Sequence, residues 1–194
     1  MLDIEISDRK MCRLKRVLIK SFSVEDASLF RRLKKEIERE LSIECEYIGD
    51  QPIPFASYNT LRKQFLAEKF LETLLIEKDF EEDIVLGICD VDLYEPGLNF
   101  VFGMASPFYH VAVVSTKRLR ESFYGRTCNE DLFFSRVLSE SVHEIGHTLG
   151  LEHCSTHPCV MNFSNSIEET DDKGFRFCSS CKSKMERILC LYQN

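Results

Sequence analysis

The sequence predicts an α/β domain, a mixed twisted sheet with helices packed on it, that ends in a small cysteine-rich subdomain. Three observations carry this expectation. Short β-rich runs alternate with stretches whose apolar residues recur at helical spacing, the pattern of a sheet covered by helices. The 194 residues are enough for one buried core with a small appendage. Two close cysteine pairs, Cys154/Cys159 and Cys178/Cys181, gather near the carboxy-terminal end. We place the larger part at residues 1–150 and the smaller at 151–194. There is no internal repeat or low-complexity segment.

The elements follow in order. Residues 17–22 form a short β-rich run, and Ser23, Val24, Glu25 and Asp26 resemble a helix-capping box. Phe30, Leu33, Ile37 and Leu41 then recur at helical spacing and should face a core. Ile43, Cys45 and Tyr47 alternate with glutamates, as in a half-buried strand. Pro52 and Pro54 break the chain, and a second helix is expected over residues 60–76, with Leu61, Phe65, Phe70 and Leu74 on its apolar face. Residues 84–89, 100–102 and 111–114 are further strand candidates. A helix over 130–149 would bury Phe134, Leu138, Ile145 and Leu149, and another is expected over 182–189.

Composition narrows the function classes. A net charge of −7 argues against nucleic acid as a partner, because phosphate neutralisation needs a basic surface. The basic run Arg31, Arg32, Lys34 and Lys35 is followed by Glu36, Glu38 and Glu40 and reads as a solvated helix face. No apolar run is long enough to cross a bilayer, and the first twenty residues carry charges throughout, so no membrane association is expected. A cytoplasmic location is the expectation. Cys12, Cys45, Cys89, Cys128 and Cys190 are scattered and odd in number, which suits free buried thiols in a reducing compartment. Intracellular disulfides of the kind found in thermophiles are the alternative.

The chemistry concentrates in His143-Glu144-Ile145-Gly146-His147 and the six residues that follow. Four of the five histidines fall between positions 143 and 157. On a helix, residues four apart share a face, so His143 and His147 can offer two imidazoles to one metal ion. Glu144 then sits where it can reach a water without being a ligand. Gly150 supplies the freedom to leave the helix abruptly, and His153 can return as the third ligand. Three imidazoles leave a fourth zinc position open, the mark of a catalytic rather than a structural site. Cobalt or nickel could occupy the same donors.

The cysteine pairs have four and two intervening residues, spacings found in structural zinc sites with four thiolates. The helix expected after Cys181 would favour thiolate charge at its amino end. A redox pair would not account for the first two cysteines, and reducing compartments disfavour disulfides.

Taken together, His143, Glu144, His147, Gly150, His153, Cys154, Cys159, Met161, Cys178 and Cys181 resemble the motif of the archaemetzincins, a branch of the metzincin metalloproteases. The match is dense from about residue 128 to 190. It is looser upstream, where Ser57, Tyr58, Asn59, Arg62 and Gln64 and the run from Leu98 to Gly103 are also similar. The resemblance implies a metzincin-like fold and two zinc ions per chain. His143, His147 and His153 would hold a catalytic zinc, with Glu144 as general acid/base. Cys154, Cys159, Cys178 and Cys181 would hold a structural one, and Met161 would lie in the turn beneath the catalytic metal. In some other metzincins a tyrosine two positions beyond that methionine assists the oxyanion. Here the position is Phe163, which has no donor. Metzincins also pair substrate backbone with an edge strand, for which residues 100–105 are the candidate.

The expected function is therefore hydrolysis of peptide bonds in a peptide or protein substrate. Two alternatives stand beside it: a catalytically silent or latent zinc-binding protein acting by association, and a cysteine module that recruits partners for a protease. His157 is a possible substitute ligand but is more simply a surface residue, Glu152 could orient an imidazole or face solvent, and His110 has no spacing signal. Substrate identity, endo- against aminopeptidase action and oligomeric state leave no trace in the sequence.

Overall fold

A computed structural model describes residues 16–76, 78 and 83–191, without the side chains of 190 and 191. Cys12 and the Cys190 side chain lie outside the described residues.

The sheet is built from strands β1 (Arg16–Phe22), β2 (Glu44–Gln51), β5 (Asp83–Cys89), β8 (Val111–Ser115) and β7 (Gly103–Ser106), in the order β2-β1-β5-β8-β7. The first four are parallel and β7 is antiparallel to β8. Every residue of β5 and β8 is buried, as expected for central strands covered on both faces. Period-two alternation sorts their side chains. Val17, Ile19, Ile84, Leu86, Ile88, Ala112 and Val114 face one layer, while Leu18, Phe22, Val85, Cys89, Val111 and Val113 face the other.

Helices α1 (Ala27–Leu41) and α3 (Glu130–Thr148) cover the first face, and α2 (Ala67–Ile76) covers the second. Phe30, Leu33, Ile37 and Leu41 of α1 are buried at the spacing the sequence predicts. Each such side chain contributes roughly 1.5–3 kcal/mol on burial. A small sheet of β3 (Tyr58–Asn59), β4 (Gln64–Leu66) and β6 (Leu93–Tyr94) flanks the second face. The chain closes with α4 (Ile167–Lys173) and α5 (Ser179–Leu191). Cys159, Val160, Met161, Phe177, Cys181 and Met185 share the core of α1 and α3. Arg136, with its side chain 1% exposed, ties α3 to α4 through a two-pronged bond to Asp171 at 2.6 and 2.7 Å.

Several elements differ from the sequence expectation. The α1 cap is Asp26 rather than Ser23, its carboxylate accepting from Ser28 N and Leu29 N, while Ser23 turns with φ +55°. The second helix starts at Ala67, not residue 60. Asn59 Oδ1 accepts from Leu61 N and Arg62 N at 3.1 Å each, a local turn that competes with helix, and Gln64–Leu66 is drawn into the small sheet. Leu61 is consequently exposed. Residues 100–102 are not a strand of the main sheet. Val101 bridges Leu93, Phe102 turns into the core, and the ladder with β8 begins at Gly103. In α3 the buried phenylalanine is Phe133, while Phe134 is half-buried beneath the Arg32 guanidinium. Helix α5 starts three residues earlier than expected, which brings Cys181 into its first turn. Cys45 and Cys89 are buried free thiols, but Cys128 is exposed. Among the described residues, no helix is long and apolar enough to cross a membrane.

Candidate metal centre and catalytic residues

Helix α3 begins at the Asn129 cap, whose side chain accepts from Leu132 N, and runs beneath β7 and β8 to Thr148. Its last two turns carry His143, Glu144 and His147. The chain turns away just past the helix end at Gly150, which adopts φ +79°. Leu151 N then returns to Gly146 O at 3.0 Å, and the chain reverses to bring His153 against the other two imidazoles. One ring nitrogen from each of the three histidines lies within 4.8 Å of the others.

For His143 and His147, hydrogen bonding fixes which nitrogen is offered. His143 Nδ1 lies 2.7 Å from Val160 O, and His147 Nδ1 lies 2.7 Å from Leu151 O. A carbonyl can only accept, so both Nδ1 atoms carry the proton and both Nε2 atoms present lone pairs. Those two Nε2 atoms face each other at 3.1 Å. Two lone pairs at that distance repel unless a cation sits between them. Tetrahedral zinc with bonds of about 2.0–2.1 Å would hold such nitrogens about 3.3 Å apart, so the donor set fits the ion. Burial pushes His143 well below the usual imidazole range, and it lowers His147 and His153 as well. The neutral, ligating form is thereby favoured.

Glu144 is buried, and burial first, then the neighbouring Glu140, raises its carboxyl to about 8. A cation at the imidazoles would oppose that shift and favour the carboxylate. Gly103 at the start of β7 lies directly over it: a Cβ there would fall 2.6 Å from Glu144 Cγ, so only glycine fits. On the other side of α3, Gly146 packs on the Met161 thioether so closely that any side chain would collide with it. Met161 is fully buried beneath the histidine turn. Phe163 is exposed, its ring 5.0 Å from that of His153.

Residue 154 opens the second cluster. Sγ atoms of Cys154, Cys159, Cys178 and Cys181 also lie within 4.8 Å of one another, with Cys154 and Cys178 3.9 Å apart. Zinc–sulfur bonds of about 2.3 Å would set tetrahedral sulfurs about 3.8 Å apart, so this set fits as well. Thr156 N and Cys178 N point at Cys154 Sγ and Cys159 Sγ at 3.3 Å each, which stabilises thiolate charge. The Cys181 backbone N–H, with smaller effects from the other thiols, lowers Cys178 to about 7. Asn162 organises the loop: its Nδ2 donates to Cys154 O at 2.7 Å and Thr156 O at 2.8 Å, and its Oδ1 accepts from Cys159 N at 3.1 Å.

The other histidines fall elsewhere. His157 is exposed and bonds Asn162 Oδ1 at 3.1 Å, apart from both clusters. His110, in the turn before β8, donates from Nδ1 to Thr148 O at 2.8 Å and satisfies a carbonyl at the end of α3. Glu152 is exposed.

The sequence profile of peptidase family M54 matches residues 53–187, which span both clusters. The chain belongs to that family. It is 40% identical over 176 residues to the archaemetzincin of Methanocaldococcus jannaschii, covering 91% of this chain and 96% of that one. It is 45% identical over 150 residues to the archaemetzincin of Pyrococcus furiosus, covering 76% and 78%. Two crystal structures superpose with a TM-score of 0.80. One, the Methanopyrus kandleri archaemetzincin, is 33% identical and covers 95% of this chain and 99% of its own. The other, a zinc-dependent peptidase from Methanocorpusculum labreanum, is 29% identical and covers 87% and 99%. As a family member the chain is a zinc metallopeptidase, and among its described residues it carries one histidine and one cysteine group suited to metal.

Sequence reasoning missed three features of the site. Glu140, one turn before Glu144, pairs with Lys173 of α4 at 2.9 Å inside the protein. Helical spacing from Glu144 could have flagged Glu140, whereas nothing near Lys173 signals it. The Val160 and Leu151 carbonyls that set the tautomers are backbone and leave no sequence mark. Arg62 was noted only for its resemblance. Its guanidinium donates to Leu98 O at 2.8 Å and Asn99 O at 2.9 Å, Gln64 Nε2 donates to Asn99 O at 3.0 Å, and Arg62 also stacks over Tyr94.

Proposed function

We propose that the protein hydrolyses peptide bonds as a metzincin-type enzyme, with Glu144 as its acid/base and two zinc ions. One ion would be held by His143, His147 and His153, the other by Cys154, Cys159, Cys178 and Cys181. The observation that carries this reading is the convergence of imidazole lone pairs, fixed by carbonyls at Nδ1, next to a buried carboxyl at the same cavity. A zinc ion there supplies a Lewis acid that brings the pKa of water towards ~7 and polarises a carbonyl.

The rest is done by the chain. Glu144 takes the proton of the attacking water and returns it to the departing amine. Gly103 lets β7 run directly above that carboxyl. β7 is an edge strand of the sheet, bonded among the described residues to β8 alone, so its outer backbone groups can pair with an extended peptide laid along the cleft. Phe163 offers the substrate an apolar ring and no hydrogen bond to the oxyanion. Cytoplasmic residence suits the free thiols of Cys45 and Cys89.

The test is metal stoichiometry measured alongside cleavage of a mixed peptide library, for the native protein and Glu144→Gln. We expect two zinc ions in both proteins, and in the variant a rate lower by about 10²–10⁴. Undiminished cleavage by the variant would sink the assignment of Glu144. Two zincs with no cleavage by either protein would favour a latent enzyme or a binding protein.

A further inference from the structure

The cavity that holds Glu144 and the three imidazoles has a volume of about 630 Å³. Two of its lining residues, Glu140 and Lys173, belong to neither the metal-ligand set nor the proton transfer. They form an ion pair at 2.9 Å with side chains 4% and 1% exposed. Thr170 Oγ1 donates to Glu140 Oε1 at 3.2 Å, and Lys173 Nζ reaches Asn162 O at 3.5 Å, too long for a strong bond. A third lining residue, Ser164, buries its hydroxyl with no hydrogen-bond partner among the described residues.

This arrangement is a poor way to hold a fold together. Replacing a buried ion pair by apolar side chains of similar volume is often neutral or stabilising, and a buried unpartnered hydroxyl is a standing cost. Polar groups kept at a cavity wall under those conditions suit recognition. An ammonium has three donors and a carboxylate about four acceptor positions, so the pair keeps hydrogen-bonding capacity beyond its internal bond. The pair is also neutral as a unit. A charged side chain would lose its water against a pair with no net charge to compensate it, and an aliphatic one would leave the remaining polar positions of the pair and the Ser164 hydroxyl without a partner.

We propose that Glu140, Lys173 and Ser164 form a recognition pocket for a neutral polar side chain of the peptide, the carboxamide of glutamine or asparagine. A carboxamide carries an acceptor for Lys173 and Ser164 and donors for Glu140. The proposal rests on the reading of the chain as a zinc peptidase, and it names the substrate class of that site.

The test is binding, which needs no turnover. Zinc-loaded native protein is titrated calorimetrically with peptide hydroxamates carrying glutamine, glutamate or leucine, in two series with the side chain on either flank of the hydroxamate. Acetohydroxamate, which has no such side chain, is the control. In one series glutamine should bind about tenfold or more tighter than leucine and glutamate. Adding Ser164→Ala should weaken the glutamine compound selectively. Adding Glu140→Leu with Lys173→Met, which leaves no unpaired charge, should pass the preference to leucine, with zinc content confirming that each variant is folded. Acetohydroxamate binding without a glutamine preference, or a preference unchanged in the double variant, overturns the pocket and spares the zinc reading. No acetohydroxamate binding overturns the zinc reading and the pocket with it.

Discussion

The two groups suited to metal are joined by the single peptide between His153 and Cys154, yet they are built on opposite plans. The imidazole group takes two ligands from one buried helix, whose spacing is fixed before any metal arrives, and it opens on a cavity. Two of its three histidines, His143 and His147, are aimed by carbonyls at their far nitrogens. The thiolate group gathers its donors from a loop and the start of α5, and it supplies four ligands with backbone N–H groups pointed at sulfur. A rigid, incomplete donor set suits chemistry, and a complete set drawn from irregular chain suits the holding of structure. The helix is held by its own ladder and the sheet, whereas the loop is held by the Asn162 bonds and the burial of Val160 and Met161 together with its thiolates.

The largest effect expected from breaking this contrast is at Cys178. Cys178→Ser should remove structural zinc and, because His153 is tethered to Cys154, weaken metal binding at the imidazoles too. Structural zinc is worth about 10–16 kcal/mol in zinc-finger peptides. A large fall in melting temperature with loss of both metals is therefore expected. A variant that keeps its stability and one zinc would show that the clusters are independent. Chelation should separate the sites in the other direction. Brief treatment with a chelator should empty the imidazole group first and leave circular dichroism nearly unchanged, with metal analysis giving one remaining ion per chain; loss of the fold together with the first ion would invert our assignment of roles.

Smaller effects sharpen the picture of the helix. Gly146→Ala pushes a methyl group into the Met161 thioether. Overpacking of this kind costs typically about 1–3 kcal/mol, visible in denaturant unfolding. It should also weaken zinc at the imidazoles and leave the thiolate ion in place. Met161→Leu, which nearly conserves volume, should cost less than about 1.5 kcal/mol; a larger loss would mean that the thioether itself matters beneath the histidines.

What the sequence disclosed follows from where information is local. His143, His147 and His153 and the four cysteines could be read because helical and loop spacings encode them directly. Met161 was recognisable only through family resemblance, since nothing about a methionine marks a turn beneath a metal. Glu140 and Lys173 are 33 positions apart, and only the packing of α4 on α3 brings them together. The start of α2 was misread because Leu61 and Phe65 fit helical spacing, while the Asn59 turn and the pairing of β4 decide the conformation. Hydrophobicity suggested a strand at 100–102, but it there marks Phe102 turning into the core.

Arg62 has a last consequence, and it is entropic. Together with Gln64 it satisfies two successive carbonyls, at Leu98 and Asn99, in the loop that also lines the cavity. Fixing a residue's backbone costs roughly 1–2 kcal/mol. Where that cost is met during folding, it is no longer charged against a ligand's affinity. The wall above the cavity is thus ordered in the free protein, and a peptide entering the cleft meets a surface already in place.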